Sequence, residues 1–305
     1  GLAFTGRKLP SIETLWVYRV TGTPAADPLA GAGAGAPELD HFVAQAFGNL
    51  GAAYAETGDK EGALAALDAL MRKSRFAAKV YANLAAAVRS GDPTDSRLEA
   101  IRALWDGYGY RSNGHSREAL QAFGEACQAD DRLAIAWAER GLLGAEEADS
   151  APWGGYANAR QALSRAAELD TEYAVTFARL IAVLNDAPGN VTGALDAVRA
   201  YQEGQLALGR GENEKARAAL QHAVAAEPLM LAAYPPLAYA KMLLGDFDGA
   251  LQTIAAYRRE GGAPNAGVSS NICIIRLFQG DLAAAREALQ EAYGLDASLQ
   301  AHYGR

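Results

Sequence analysis

The chain has 305 residues, of which 50% are hydrophobic, 21% charged and 8% aromatic, with 32 glycines and 11 prolines. That is apolar material for about two domains, and it excludes a disordered chain, a collagen or a disulfide miniprotein. A formal net charge of −8 argues against a nucleic-acid-binding surface. In chain order, residues 11–20 (SIETLWVYRV) are rich in β-branched and aromatic side chains. They are expected to form a strand, or a short helix capped by Ser11. Residues 21–37 (TGTPAADPLAGAGAGAP) have little to bury and read as a linker. Residues 1–38 are thus expected to be the tail of a preceding element and its tether. The chain opens on Gly1 rather than Met, as a fragment or a processed product would. A cytoplasmic setting is favoured, or a periplasmic one if a leader has been removed.

From about Leu39 onward, apolar residues recur at three- and four-residue steps, which predicts helices. The breaks share one chemistry: Gly58-Asp59, Gly91-Asp92, Gly245-Asp246 and Gly280-Asp281. Gly takes the left-handed conformation that ends a helix, and Asp accepts the free N–H groups that begin the next. Gly114 with Ser116, and Gly211 with Glu212, read as variants. Proline is tolerated only in a helix's first turn, so Pro235-Pro236 predicts a helix that starts near Tyr234 or is kinked there.

A 34-residue period runs through this region. It separates Phe47 from Tyr81, Leu50 from Leu84, Ala103 from Trp137 and Ala200 from Tyr234. Phe47, Leu50, Gly51, Tyr54, Gly58, Ala63 and Leu67 form one set of small and large residues. Further sets are Gly107, Tyr110, Gly114, Ala119, Phe123 and Ala126; Gly204, Gly211, Ala216, Leu220, Ala223 and Pro228; and Tyr234, Leu237, Ala238, Gly245, Ala250 and Ile254. Trp137, Gly141, Ala159, Leu163 and Ala166 fit around an insertion near residues 150–155. Ile272, Gly280, Ala285, Leu289 and Ala292 form a last set without the leading aromatic. In these sets the chain resembles the tetratricopeptide repeat (TPR) family. The resemblance implies an all-α, TPR-like α-solenoid of stacked antiparallel helix pairs over residues 39–305. A shift of 97 residues also superposes Ala100, Gly107, Gly114, Ala119 and Trp137 on Ala197, Gly204, Gly211, Ala216 and Tyr234. Before each of these blocks one helix is left over. Breaks of phase are therefore expected near residues 93 and 188.

No catalytic constellation emerges. His41, His115, His222 and His302 show no metal spacing, and there is no HExxH, GxSxG or P-loop. Cys127 and Cys273 lie in apolar helical stretches and read as buried free thiols. Acidic pairs such as Asp130-Asp131 and Glu146-Glu147 read as helix-end charge. No run approaches the roughly 18 apolar residues of a membrane span. No enzyme, metal or cofactor is expected.

The TPR resemblance implies a protein or peptide partner, bound on a concave face lined by the first helix of each pair. The residues expected there are Lys79 and Arg89; Leu104, Tyr108 and Arg111; Tyr201 and Gln205; and Tyr239 and Met242, continued by Ile274 and Leu277. The stripe is basic toward its N-terminal half and apolar toward its C-terminal half. The carboxylate clamp of chaperone-binding relatives is not implied: among Gly48, Ala52, Asn83, Leu104 and Trp105, only Asn83 has the required chemistry. Residues 107–135 and 156–176 loosely resemble TPR arrays that follow bacterial adenylate cyclases and transcriptional regulators. That likeness implies a part in a larger signalling or regulatory protein. The alternative is a scaffold that oligomerises through its repeat surfaces.

Overall fold

The computed structural model describes residues 41–148, 155–186 and 190–299. The tail and tether expected over residues 1–38, most of the insertion near 150–155 and the expected break near 188 lie outside the described residues. The described chain is helical, with no strand. Its helices are α1 (His41–Glu56), α2 (Lys60–Lys73), α3 (Arg75–Ser90), α4 (Asp95–Ser112), α5 (Ser116–Ala129), α6 (Ala134–Glu146) and α7 (Tyr156–Leu169). They continue as α8 (Thr171–Asp186), α9 (Val191–Gly209), α10 (Asn213–Ala226), α11 (Tyr234–Leu243), α12 (Phe247–Arg259), α13 (Ala266–Phe278) and α14 (Leu282–Leu295). They form two compact units. The first holds α1–α6 with Gln161–Asp170, and the second holds α8–α14 with the first turn of α7.

The turns work largely as their chemistry predicts. Gly58, Gly245 and Gly280 sit at φ 77°, 79° and 77°. The following Asp59, Asp246 and Asp281 accept from the backbone N–H three residues on. At Gly91-Asp92 only the first half operates. Gly91 is left-handed at φ 78°, but Pro93-Thr94 delay α4, and Asp92 accepts from Ser90 Oγ instead of capping. Gly114 and Gly211 are left-handed too, while His115 and Glu212 provide no side-chain cap. Asp246→Ala is expected to cost about 1 kcal/mol, the usual worth of an N-cap, and Asp92→Ala close to nothing. Thermal melts of the two variants side by side check this. The proline pair falls as anticipated: a 3-10 turn, Leu231–Ala233, leads into α11 at Tyr234, so Pro235 and Pro236 occupy its first turn.

Close approach explains the small residues. In the first unit α4 packs along α5 with Gly107 against the Phe123 ring, and Gly141 of α6 meets Leu163 of α7. A Cβ on Gly51 would lie 2.6 Å from Leu67, between α1 and α2. In the second unit, a Cβ on Gly204 would lie 2.5 Å from Leu220, which sets how closely α9 approaches α10. No side chain longer than hydrogen fits at these crossings without moving a buried neighbour. The internal shift is also visible in hydrogen bonds. Trp137 Nε1 donates to the Asp131 carbonyl (3.0 Å), and its counterpart Tyr234 donates from its hydroxyl to the Pro228 carbonyl (2.9 Å), each six residues back.

Candidate functional site

In the first unit, α3 is the element that positions the candidate site. Ser74 ends α2 and caps α3 through Ala77 N–H, so the two helices turn back on one buried residue. One stripe of α3 (Ala77, Tyr81, Leu84 and Val88) is buried, and α3 packs on α1 and α2, with the Tyr81 ring against Gly48. A neighbouring stripe carries Phe76, Lys79 and Asn83, spaced to share a face. The Phe76 ring packs on Trp105 (5.8 Å between centroids) and Tyr108 (6.1 Å) of α4. Lys79 Nζ pairs with Asp170 at 2.6 Å, and Asn83 Nδ2 donates to Asp130 at 2.8 Å. Asp130 is the C-cap of α5, and Asp170 follows the end of α7. Trp105 Nε1 donates to the Tyr81 hydroxyl (3.3 Å).

Next to this contact lies a charged cluster. Tyr108 Oη donates to Glu139 Oε1 (3.0 Å), and Arg111 bridges Glu139 (2.7 Å) and Glu146 (3.1 Å). Burial pushes the Glu139 carboxyl up, with the Arg111 guanidinium and the Tyr108 hydroxyl opposing it. Asp130 and Glu146, expected to be solvated helix-end charge, are instead largely buried and paired.

The second unit repeats part of this design. Glu227 is the counterpart of Asp130 under the 97-residue shift and is buried. It holds Arg179 of α8 at 3.2 Å and accepts from Asn190 Nδ2 (3.3 Å) and from Leu229 N–H (3.2 Å). The leading helix of each block is thus tied to the carboxylate that ends the second helix of the following pair.

The residues expected to line a binding face separate into four groups. Lys79, Tyr108 and Arg111 converge in the first unit, and each is engaged within the chain. Leu104, Tyr201 and Met242 are buried and do not face solvent: Leu104 is fully enclosed, Tyr201 accepts from Gln205 (3.0 Å), and Met242 belongs to the core between α11, α12 and α13. Arg89 lies on the outer end of α3, paired with Asp68 of α2. Only Tyr239, with Ile274 and Leu277, presents an exposed apolar surface. The structure adds Leu243 and Phe278 to it, the latter 72% exposed and stacked on Phe247 at 5.4 Å. Tyr239 and Leu243 stand four apart on α11. Ile274, Leu277 and Phe278 stand three and four apart on α13, and α13 packs against α11. The sequence signal for Leu243 and Phe278 was their spacing from Tyr239 and Ile274.

Cys127 and Cys273 are free and buried, and burial pushes the Cys127 thiol up to about 12. His222 lies in the open, 2.7 Å from Asp196. Among the described residues no group of His, Cys, Asp and Glu is arranged to hold a metal ion. Among them, too, no helix is long and apolar enough to cross a membrane.

No protein-family model matches the chain, and no curated protein matches it. Several solved structures do. MamA is 18% identical, over 65% of this chain and 97% of its own, with a TM-score of 0.33. PilF of Pseudomonas aeruginosa is 16% identical, over 86% and 98%, with a TM-score of 0.33. A tetratricopeptide repeat protein of Parabacteroides merdae is 16% identical, over 83% and 93%, with a TM-score of 0.31. The resemblance of this chain to the TPR family stands on its own helix pairs and on the small-against-large contacts between them.

Proposed function

We propose that this protein is a non-catalytic interaction module that holds a protein or peptide segment on the apolar stripe of α11 and α13. The observation that carries this reading is the cluster of Tyr239, Leu243, Ile274, Leu277 and Phe278, all exposed on neighbouring first helices of their pairs. Exposed apolar side chains repeated at helical spacing on two helices that pack together mark interaction sites, and aromatic residues are the usual anchors. Tyr239→Ala combined with Leu277→Asp is expected to weaken capture of the partner by roughly thirtyfold, the effect of losing about 2 kcal/mol at a hot spot. Affinity capture from the source cell, with helicity followed by circular dichroism, tests it. Undiminished capture by a folded variant ends this reading.

A second reading, assembly through repeat surfaces, is favoured by Leu282, the first residue of α14, which is 69% exposed. Light scattering over a range of concentrations separates the two, because a partner-binding monomer keeps its mass. The domain proposal is a single repeat region over residues 39–305, with breaks of phase near 93 and 188. The pairing of α4 with α5 and of α9 with α10, leaving α3 and α8 as leading helices, supports it. We also propose, on the likeness of residues 107–135 and 156–176, service within a larger signalling or regulatory protein, tested by sequencing the gene on both sides of the codons for this chain.

A further inference from the structure

The apolar stripe of α11 and α13 ends in carboxylates. Leu243 closes α11 and Phe278 closes α13, so both stand at the turns into the second helices of their pairs. Those turns lie side by side: the Phe278 ring stacks on Phe247 at 5.4 Å, and Gln279 Nε2 donates to Asp248 at 3.5 Å. One turn carries Asp246 and Asp248, the other carries Asp281, and all three are exposed. Their hydrogen bonds come from neutral donors: Gly249 N–H to Asp246, the Gln279 amide to Asp248 and Ala284 N–H to Asp281. None of these donors cancels a carboxylate charge.

The cations of these helices are committed elsewhere. Lys241, the one basic residue of α11, turns to α12 and donates to Thr253 Oγ1 (2.9 Å) and to the Gly249 carbonyl (3.4 Å). Arg276 donates to Gln279 Oε1 (3.0 Å), and by helical period it lies largely on the opposite side of α13 from Ile274, Leu277 and Phe278. Arg258 and Arg259 close α12, at the other end of the pair, where they face Glu291 (3.7 Å) and Glu260 (3.6 Å). The stripe is therefore apolar along its length and negative where Leu243 and Phe278 close it. A ligand that buries apolar side chains and brings a cation to Asp248 satisfies both features, whereas an acidic one sets like charges together. We propose that the stripe takes a peptide segment of a partner protein in which large apolar side chains are followed by a run of Lys or Arg. This rests on the reading of the α11–α13 stripe as a binding site and specifies the chemistry of its partner.

The test uses two fluorescent synthetic peptides, titrated into the full chain and followed by anisotropy. Both carry one Trp and three Leu at helical spacing; one then ends in four Lys, the other in four Glu. The Lys-ended peptide is expected to bind about tenfold more tightly at low salt, the sum of two or three exposed ion pairs. Salt at about 0.5 M is expected to shrink that preference to less than about threefold. Asp246→Asn with Asp248→Asn and Asp281→Asn is expected to abolish it, and this variant keeps its fold because asparagine caps a helix as well as aspartate does. Asp248→Lys, which touches neither cap, is a second variant and is expected to lower the preference as well. A preference that survives both variants overturns the proposal, since the cations would then be bound elsewhere. Equal affinity for the two peptides, lost in both cases with Tyr239→Ala and Leu277→Ala, overturns the proposal and leaves the stripe as a binding site. Failure of either peptide to bind, or binding indifferent to Tyr239 and Leu277, overturns the proposal and the reading of the stripe together.

Discussion

Gly107→Ala is expected to destabilise the first unit by about 2 kcal/mol, whereas Gly109→Ala, two residues along the same helix, is expected to stabilise it by roughly 0.5–1 kcal/mol. Both substitutions gain the same helix propensity, about 1 kcal/mol for replacing Gly by Ala in a helix interior. They differ in what the new methyl meets. At Gly109 there is open space within 4 Å. At Gly107 the methyl would overlap the Phe123 ring, and that ring has no room to retreat. Phe123 is fully buried and stands edge-on to Tyr108 at 5.6 Å, and Tyr108 in turn packs against Phe76 and Trp105. Overpacking costs typically 1–3 kcal/mol and more where the neighbours are locked, so the clash outweighs the propensity gain. Differential scanning calorimetry of the two variants decides it. A melting temperature that rises for both would show that the pair can separate and that the glycine is not what sets the helix approach.

Glu227→Ala is expected to cost about 2–3 kcal/mol in the second unit, with Glu227→Gln costing distinctly less. The Glu227 carboxylate is buried and pairs with Arg179 at 3.2 Å, while accepting from Asn190 and from the Leu229 N–H. Truncation leaves those donors without an acceptor and a cation beside an apolar gap. Breaking a fully buried pair costs about 3–5 kcal/mol, and the figure here is lower because water reaches the Arg179 side chain, which is 30% exposed. Glutamine keeps the shape and one acceptor oxygen, which can serve the Leu229 N–H, and loses the charge and the second oxygen that accepts from Asn190. Urea unfolding followed by far-UV circular dichroism measures both. Equal losses for the two variants would mean that the negative charge, not the shape of the side chain or a single acceptor oxygen, holds this junction.

Much of the local structure was written in the residues. Gly58-Asp59, Gly245-Asp246 and Gly280-Asp281 each end one helix and cap the next, because a left-handed glycine and a short carboxylate solve two local backbone problems within two residues. Gly107 and Phe123 belong to one set of small and large residues, Gly204 and Leu220 to another, and the structure brings each pair into contact. Gly91-Asp92 has the same composition and behaves differently, since Pro93 moves the next helix start out of reach of Asp92.

The candidate sites were less legible. Leu104 and Tyr108 stand four residues apart on α4 and share a face by helical period, yet Leu104 is enclosed while Tyr108 meets α3 and Glu139. Tyr201 and Met242 looked like surface anchors and are packed inside, while Phe278, which closes α13, lies open. The sequence alone determined that the chain is a run of paired helices, where they turn and which residues let them touch, because each of those depends on neighbours within a few tens of positions. Tertiary structure alone decided that α3 covers the Trp105–Tyr108 shelf and that the α11–α13 stripe stays bare. A helix that is apolar on more than one side has several faces to bury, and which of them is buried depends on partners far away in the chain.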